Sequence, residues 1–485
     1  MKREFLLNIA FLIVLNLLIK PFYIFGIDRT VQNVLGPEIY GGAFAVLLNF
    51  VYLFQIVNDF GIQNFTSRHI SKHPKVLAKY FPQFISLKIV MGILFMILVM
   101  CSGYFMGFNS SLWPILALLA FNQVLISFIF YFRANLAGLG HYRLDSLLSI
   151  MDKLLLIIFC SVLLWGISSY ISFTVYHFVL AQTAALVLTF MLAFILLFPH
   201  VSSIKFVWSD SKVLAILKQS FPYALILFLT TIYTRVDSVM INFLLPDGDY
   251  EAGAYASAFK LLETSNMFSY LFGMLLLPMF SKLFRNHSSV QPLFEMSTKI
   301  IWVMSVFVTT IVVLYRNEIM VLLYTYATDY WAEILGVLML GYIAGAISYI
   351  LGALIQAQGC LKQINILYVI GALTNVGLNW ILIPEYKALG AAFTTLVTQG
   401  IVVIGAFIII RRHVPMKLGG SYYLSLLGYI LFAGMFYRFW SQYRAFIPGH
   451  LVVHGILVGI VFLTVAVLLG LIPVKLKYFR EVLRR

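Results

Sequence analysis

Residues 83–106 read QFISLKIVMGILFMILVMCSGYFM, an apolar stretch with a single charged side chain, that of Lys88. A transmembrane helix needs about 20 predominantly apolar residues, so this stretch predicts a membrane span. About fourteen such stretches follow one another, which predicts an all-α, polytopic membrane protein of about 14 transmembrane helices. The predicted spans are 5–27, 40–65, 83–106, 112–137, 145–166, 171–198, 214–245, 252–280, 298–324, 331–357, 364–383, 388–411, 421–440 and 451–473.

The composition excludes the soluble classes. Hydrophobic residues make up 62% of the 485 residues and charged residues only 11%, whereas a soluble domain carries about 25% charged residues. The net charge of +15 is typical of basic loops that contact anionic lipid headgroups. No basic stretch is long enough to form a nucleic-acid-binding domain, so we expect no nucleic-acid partner. The loops are short, which predicts one membrane domain in contact with membrane lipids and no soluble module.

Lys and Arg residues gather in every other predicted loop, as in 68–79, 205–218 and 411–417. The loops between them hold most of the acids, among them Asp28. Because basic residues are retained on the cytoplasmic side, this alternation predicts an even number of spans with both termini in the cytoplasm. Met1-Lys2-Arg3 and the apolar run after it resemble a signal peptide, but no cleavage site follows, so we interpret the segment as an uncleaved first helix.

An internal repeat divides the sequence. Gly42-Ala43-Phe44-Ala45 begins the second predicted span and Gly253-Ala254-Tyr255-Ala256 begins the eighth. Gly138-Leu139-Gly140-His141 follows the fourth span, and Gly359-Cys360-Leu361-Lys362 follows the tenth. The same order at similar offsets predicts two six-helix halves of equal orientation, followed by two extra helices. The predicted division is an N-terminal bundle at 1–206, a C-terminal bundle at 207–412, and the last two helices with a basic cytoplasmic tail at 413–485.

Five short motifs carry a resemblance to a known family. They are Leu35-Gly36-Pro37-Glu38-Ile39-Tyr40-Gly41, Asp59-Phe60-Gly61, Tyr233-Thr234-Arg235-Val236-Asp237, Ala252-Gly253-Ala254-Tyr255, and Pro384 with Leu389-Gly390-Ala391-Ala392. With the two six-helix repeats and the two extra helices, the chain resembles the multidrug/oligosaccharidyl-lipid/polysaccharide (MOP) exporter superfamily. Within it, the chain is most similar to polysaccharide biosynthesis proteins that act as flippases of the Wzx type.

The resemblance implies a transporter with two bundles around a central cavity that works by alternating access. It implies an undecaprenyl-diphosphate-linked oligosaccharide as substrate, turned from the cytoplasmic to the periplasmic leaflet of the bacterial inner membrane. The glycan would then serve surface polysaccharide biosynthesis, such as O-antigen for lipopolysaccharide. The polymerase or ligase machinery that consumes it is the partner that the resemblance suggests.

Ionisable side chains at membrane depth are costly and usually face a cavity or a partner. Lys20 in the first span, Arg235 in the seventh and Lys260 in the eighth are such residues. A diphosphate needs several cations or an Arg guanidinium, which binds two phosphate oxygens at once. We therefore predict that Lys20, Arg235 and Lys260 contact the substrate headgroup.

Five further charges are candidates for coupling or for lining the cavity. They are Asp59, Asp152, Lys153, Asp237 and Glu263. An intramembrane carboxylate can carry a coupling proton, for which Asp237 and Glu263 are the candidates. Sodium coupling and drive by the membrane potential fit the sequence equally well.

Each of these charges also has a purely structural interpretation. Lys260 and Glu263 stand three residues apart and can form an internal pair. Asp59 can lie at the membrane interface, and Lys88 is expected to extend its amine to the cytoplasmic surface.

Two other functions remain as alternatives. A drug/cation antiporter of the same superfamily is expected to have an acidic cavity, whereas the deep charges here include as many cations as acids. A membrane glycan polymerase or ligase needs a sizeable outward loop with catalytic groups, and the outward loops are short. The sequence contains no GxSxG, HExxH or Walker motif, and Cys101, Cys160 and Cys360 lack metal-ligand spacing. We therefore predict no enzyme activity, no metal and no cofactor.

Overall fold

The computed structural model describes residues 15–62, 76–166, 172–200, 210–443 and 451–472. All regular elements of these residues are helices, with no strand among them, which confirms the all-α fold. Nine of the described helices are long and apolar enough to cross a membrane, or ten when one bent pair counts as a span. The count of about 14 stays a prediction, because several predicted spans extend into residues outside the described ranges.

The described helices are numbered here in chain order. They are α1 Leu15–Leu35, α2 Pro37–Leu53, α3 Gln55–Asp59, α4 Val76–Phe105, α5 Trp113–Gly138, α6 Tyr142–Ser161, α7 Val175–Leu197, α8 Asp210–Leu244, α9 Gly248–Arg285, α10 Gln291–Leu314, α11 Arg316–Leu323, α12 Asp329–Gln358, α13 Leu361–His413, α14 Gly420–Tyr443 and α15 Leu451–Leu468. Two of them contain π-helical turns, Tyr23–Asp28 in α1 and Gly41–Val46 in α2.

A single residue joins α1 to α2. Gly36 has φ 78°, which favours glycine, and the two helices meet there at 114°. Pro37 takes the first position of α2, where its missing N–H costs nothing. The sequence predicted a loop from residue 28 to residue 39, which is wrong because helix continues to Leu35. Asp28 therefore lies inside α1, fully buried, rather than in an outward loop.

The helix α13 is broken at Lys387, whose backbone has φ 53° and ψ −136°. This break falls between the predicted spans 364–383 and 388–411. A non-glycine residue rarely adopts positive φ, so the surroundings must hold it there. Glu251 of α9 does so, because its carboxylate accepts a hydrogen bond from the Ala388 amide at 3.4 Å and pairs with the Lys387 amine at 3.3 Å.

The described chain divides into two compact units. The first comprises the residues up to 257 together with 323–326 and 368–391. Its core includes the fully buried side chains of Val31, Leu47 and Phe178. The predicted division at residues 206 and 412 describes repeats rather than these units and stays a prediction.

The second unit comprises 258–322, 327–367 and the residues from 392 onward. Here α14 and α15 pack on α10. The Trp302 indole of α10 donates to the Leu426 carbonyl of α14 at 3.1 Å, and the Phe307 ring of α10 lies 5.7 Å from that of Phe462 in α15. The last two helices are thus attached to their unit by an aromatic core.

Within the first unit, the first residues of α2 pack against the glycine motif at the start of α9. A Cβ on Gly41 would lie 2.5 Å from the amide nitrogen of Gly253, and a Cβ on Gly253 would lie 2.7 Å from the carbonyl carbon of Pro37. No real Cβ fits at such distances, so the start of α2 and the start of α9 are in backbone contact. The repeat motifs thus lie at or beside a contact between α2 and α9, which the sequence alone did not indicate.

Candidate functional site

Lys20 lies in a cluster of charges formed by three helices of the first unit. Its amine interacts electrostatically with Asp152 and Lys153 of α6 and with Arg133 of α5. The Asn16 amide donates to the Ser149 hydroxyl at 2.9 Å, which fixes α1 beside α6. The structure therefore brings together Lys20, Asp152 and Lys153, three residues that the sequence nominated separately.

Two tyrosines connect this cluster to Arg235. The Lys153 amine lies 4.9 Å from the centre of the Tyr23 ring, and the Arg235 guanidinium lies 5.1 Å from that of Tyr52. The two phenols are themselves in electrostatic range of each other. A cation over an aromatic face is stabilised by the ring quadrupole, so each tyrosine positions one cation. We call Lys20, Arg133, Lys153, Arg235 and the carboxylates Asp145 and Asp152 the cation cluster.

The cation cluster carries more positive than negative charge. Asp145 accepts a hydrogen bond from Arg133 Nε at 2.8 Å, and the Lys153 amine is 3.4 Å from an Asp152 oxygen. Lys20, Arg133 and Lys153 thus lie near the two carboxylates, in a chain with few charges. Such an excess in a low-dielectric site favours an anionic ligand, and an Arg guanidinium suits phosphate oxygens in particular.

Lys260 lies in the second unit, where its amine is 3.5 Å from the Glu263 carboxylate. Both side chains are partly exposed. This is the internal pair that the structural interpretation of the sequence predicted. Their roles in headgroup binding and coupling remain predictions.

Asp59 is paired with Lys88 in the first unit. The Lys88 amine is 2.9 Å from Asp59 Oδ1 and 2.7 Å from the Ser127 hydroxyl, and its side chain is 1% exposed. The expectation that Lys88 reaches the surface is wrong, because a carboxylate from another helix neutralises its charge within the protein. Asn58 adds a hydrogen bond to the Gln123 carbonyl at 2.8 Å, so polar contacts fix the end of α3 to α4 and α5.

Asp237 is 1% exposed and accepts two hydrogen bonds. The Tyr255 hydroxyl of α9 donates at 2.6 Å, and the Asn379 amide of α13 donates at 2.7 Å.

Asp28 also accepts hydrogen bonds from a tyrosine hydroxyl and a side-chain amide, although the sequence placed it in a loop and nominated it for no site. It accepts from the Tyr40 hydroxyl and from the Gln32 amide, both at 3.0 Å. Asp237 and Pro246 follow Asp28 and Pro37 at the same offset, so the two carboxylates occupy equivalent positions of the repeat. That shared offset was the available signal.

The far end of α1 is tied to the segment after α11. Arg29 Nε and Asn33 Nδ2 both donate to the Leu323 carbonyl, at 2.7 and 2.9 Å. The Thr325 amide donates back to Asn33 at 3.1 Å. Together with the backbone contact between Gly41 and Gly253, these bonds hold the helices of the first unit together at the end where α1 meets α2. In the described ranges, no group of three His, Cys, Asp or Glu residues is arranged to hold a metal ion.

Comparison with known proteins gives one family and one fold. The family described as "Polysaccharide biosynthesis protein" matches residues 5–284. The fold is similar to that of the lipid II flippase MurJ in an inward closed conformation, with a TM-score of 0.68, 15% identity, and coverage of 98% of this chain and 100% of that one. No protein of the curated set matches the sequence significantly.

Two further structures share the fold. An outward-facing multidrug resistance MATE family transporter of the MOP superfamily has a TM-score of 0.61 and 15% identity, over 84% of this chain and 94% of that one. A MOP superfamily transporter from Pyrococcus furiosus, described as having a binding pocket of reversed polarity, has a TM-score of 0.59 and 15% identity, over 84% and 95%. At this level of identity the likeness concerns the fold alone.

Proposed function

The chain belongs to the polysaccharide biosynthesis protein family, and on that basis we propose that it flips an undecaprenyl-diphosphate-linked oligosaccharide across the bacterial inner membrane. The transported glycan then serves a surface polysaccharide such as O-antigen, through polymerase or ligase machinery. The observation that carries the proposal is the cation cluster. In a membrane protein with few charges, three cations lie together on α1, α5 and α6, and a fourth, Arg235 of α8, lies over the Tyr52 ring.

The diphosphate headgroup is the part of the substrate that these cations suit. Lys20 and Arg235 come from the two predicted halves of the chain, and each lies beside a tyrosine or a second cation. An anionic headgroup gains most from such groups where water is excluded, because the Coulomb interaction is stronger at low dielectric. Lys260, paired with Glu263, is proposed as a further contact on the substrate's route.

Alternating access is supported by the contacts at the end where α1 meets α2. That end bears Asp247 and Glu251 rather than the basic loops, so the positive-inside pattern predicts that it faces outward. The Gly41–Gly253 backbone contact and the bonds from Arg29 and Asn33 to Leu323 join predicted halves of the chain. In an alternating-access cycle these contacts must separate to release substrate outward.

The coupling group is proposed to be a buried carboxylate. Asp237 with Tyr255 and Asn379, and Asp28 with Tyr40 and Gln32, are the two sites with suitable surroundings. Sodium coupling and drive by the membrane potential are the alternatives that a transport assay with imposed gradients distinguishes.

A drug/cation antiporter is the second candidate, because MATE transporters share the fold. The excess of cations in the cluster opposes it, since cationic drugs are repelled by such a site. The experiment that separates the two is deletion of the gene. We expect lipid-linked oligosaccharide to accumulate facing the cytoplasm and surface polysaccharide to disappear. Unchanged surface polysaccharide together with new dye sensitivity would establish drug export instead.

Complementation then tests the site. Arg235→Ala is expected to lose complementation at normal expression, whereas Arg235→Lys, which keeps the charge over the Tyr52 ring, is expected to retain part of it. Full complementation by Arg235→Ala removes Arg235 from the mechanism. Asp329→Asn, which changes a carboxylate outside the cation cluster, is the matched control for expression and insertion.

A further inference from the structure

The guanidinium of Arg133 has N–H donors that its described protein partners leave unused. Its Nε donates to Asp145 at 2.8 Å, and its carbon lies 5.8 Å from the Phe130 ring. In the part of the chain that the structure describes, its two terminal nitrogens have no protein acceptor. The side chain is 18% exposed, so the group is neither deeply buried nor free in water. One edge of the guanidinium is thus occupied and the outer edge is open.

Lys20, which lies near Arg133, also has N–H donors that the described residues leave unused. Its amine interacts electrostatically with Arg133, Asp152 and Lys153, and among the described residues it donates no hydrogen bond. Three cations and the carboxylates Asp145 and Asp152 therefore occupy one region of α1, α5 and α6. Unused donors beside carboxylates are what an exchangeable anion site requires, because the carboxylates neutralise the cations while no ligand is bound.

The position of these groups suggests where in the transport route they act. Arg133 lies five residues before the end of α5 at Gly138, and Asp145 lies in the first turn of α6. At a rise of about 1.5 Å per residue, both are within about 10 Å of the loop that joins these helices. Arg143, in the first turn of α6, lies next to that loop, and the loop belongs to the side that the basic residues predict to be cytoplasmic.

We propose that Arg133, with Lys20 and Lys153, forms a first subsite for the diphosphate of the incoming lipid headgroup, and that Asp145 and Asp152 are resident counter-ions which the phosphates displace. The inference rests on the proposed function and deepens it. The sequence alone nominated Arg133 for no site, because it lies near a helix end on the side predicted to be cytoplasmic. In this subsite Arg133 contacts the phosphates of the headgroup, and Asp145 competes with those phosphates for the guanidinium.

The two members of the Arg133–Asp145 pair then have opposite effects on binding. Removing Arg133 removes a phosphate ligand. Removing the Asp145 charge weakens its attraction for the Arg133 guanidinium and leaves the cluster more positive, so an anion binds more tightly. A merely structural ion pair behaves differently, because loss of either partner disturbs the same geometry and weakens binding in both cases.

The test measures binding of farnesyl diphosphate to the purified full-length protein in detergent, with farnesyl monophosphate as the comparison probe. We expect Arg133→Gln to weaken farnesyl diphosphate binding at least fivefold and Asp145→Asn to tighten it at least threefold. Both effects should be smaller for the monophosphate. Asp329→Asn, which changes the net charge by the same amount outside the cluster, is expected to leave the affinity within twofold of the parent.

Weaker binding in both Arg133→Gln and Asp145→Asn overturns the counter-ion role, and unchanged binding in both overturns the subsite. Thermal unfolding of each variant shows whether it folds, and Arg133→Lys, which keeps the charge but loses the fork, should bind between the parent and Arg133→Gln. Failure of the proposed function gives a different result. The parent protein and its variants would then bind the diphosphate in the expected order of affinity, but the parent would translocate no lipid-linked oligosaccharide in vesicles.

Discussion

Gly41 and Gly253 lie backbone against backbone, so close that a Cβ on Gly41 would stand 2.5 Å from the Gly253 amide nitrogen. Gly253 belongs to one of the motifs that revealed the internal repeat, and Gly41 directly precedes the other. The contact is closed because neither helix carries a side chain at the crossing. A contact of this kind is suited to a gate, since separating the two backbones at the crossing itself breaks no side-chain hydrogen bond.

Gly253→Ala is expected to hold this crossing open. The new methyl group would overlap Pro37 of α2, and backbone cannot yield as a flexible side chain can. We expect Asn33→Cys, in a background with Cys101, Cys160 and Cys360 changed to serine, to react faster with a membrane-impermeant maleimide when Gly253→Ala is present. The control is Gly434→Ala, where a Cβ meets no atom within 4 Å. Equal reaction rates in both backgrounds contradict a gate at this crossing.

The Asp237 carboxylate is expected to be required in a form that can titrate. Asp237→Asn keeps the size of the side chain but cannot bind and release a proton, so we expect oligosaccharide translocation to fall at least tenfold with little loss of folded protein. Tyr255→Phe, which removes only the donor at 2.6 Å, should shift the pH dependence of translocation and keep part of the activity. An unchanged rate and pH profile in Asp237→Asn would assign coupling elsewhere.

Asp28→Asn tests the equivalent position of the first half. If both carboxylates take part in coupling, the double variant with Asp237→Asn should be no worse than the more severe single variant. Independent, multiplying losses would indicate two separate roles. Translocation driven by an imposed proton gradient is the measurement.

The buried Lys88–Asp59 pair is expected to stabilise the first unit only as a pair. Removing one partner of a buried ion pair leaves an uncompensated charge and costs about 3–5 kcal/mol. Lys88→Met should therefore lower the thermal unfolding midpoint in detergent markedly, and Lys88→Met with Asp59→Asn should recover part of the loss. A double variant as unstable as the sum of the singles contradicts the pairing.

The Asp247–Lys387 pair predicts a weak pH dependence of stability. The hydrogen bond from the Lys387 amine holds the pKa of the Asp247 carboxyl below its usual value. A carboxyl with a lowered folded pKa contributes its stability above its unfolded pKa of about 3.9 and loses it as pH falls through the folded pKa. The groups are exposed, so the contribution is below about 1 kcal/mol. Asp247→Asn should therefore lower stability slightly at neutral pH and flatten the stability profile below about pH 4, where the parent protein loses the same contribution.

Hydropathy predicted the helical class and most helix positions because each span is a continuous apolar run. The break at Lys387 was foreseen since two such runs meet there. The burial of Asp28 was not foreseen, because a carboxylate next to Arg29 has the local appearance of a loop. The pairing of Lys88 was hidden for a related reason, since Asp59 is distant in sequence and belongs to another helix.

The candidate site could likewise be predicted only in part from the sequence. Lys20, Lys153 and Arg235 were nominated because they interrupt apolar runs, and the structure places them in one unit. Arg133 lies near a helix end, where the positive-inside rule already accounts for it, so no sequence signal separated it from ordinary loop cations. Only the contacts with Asp145 and Lys20 distinguish it.

Translocation in reconstituted vesicles decides whether the chain flips a lipid-linked oligosaccharide and whether Arg235 is needed for it. The purified chain and its Arg235→Ala variant are placed in vesicles with undecaprenyl-diphosphate-linked oligosaccharide in one leaflet, and a glycan-cleaving enzyme added outside reports the fraction that has crossed. We predict rapid crossing with the parent protein and crossing at the protein-free rate with Arg235→Ala. Crossing at the protein-free rate with the folded parent, or equal crossing with Arg235→Ala, would contradict the account.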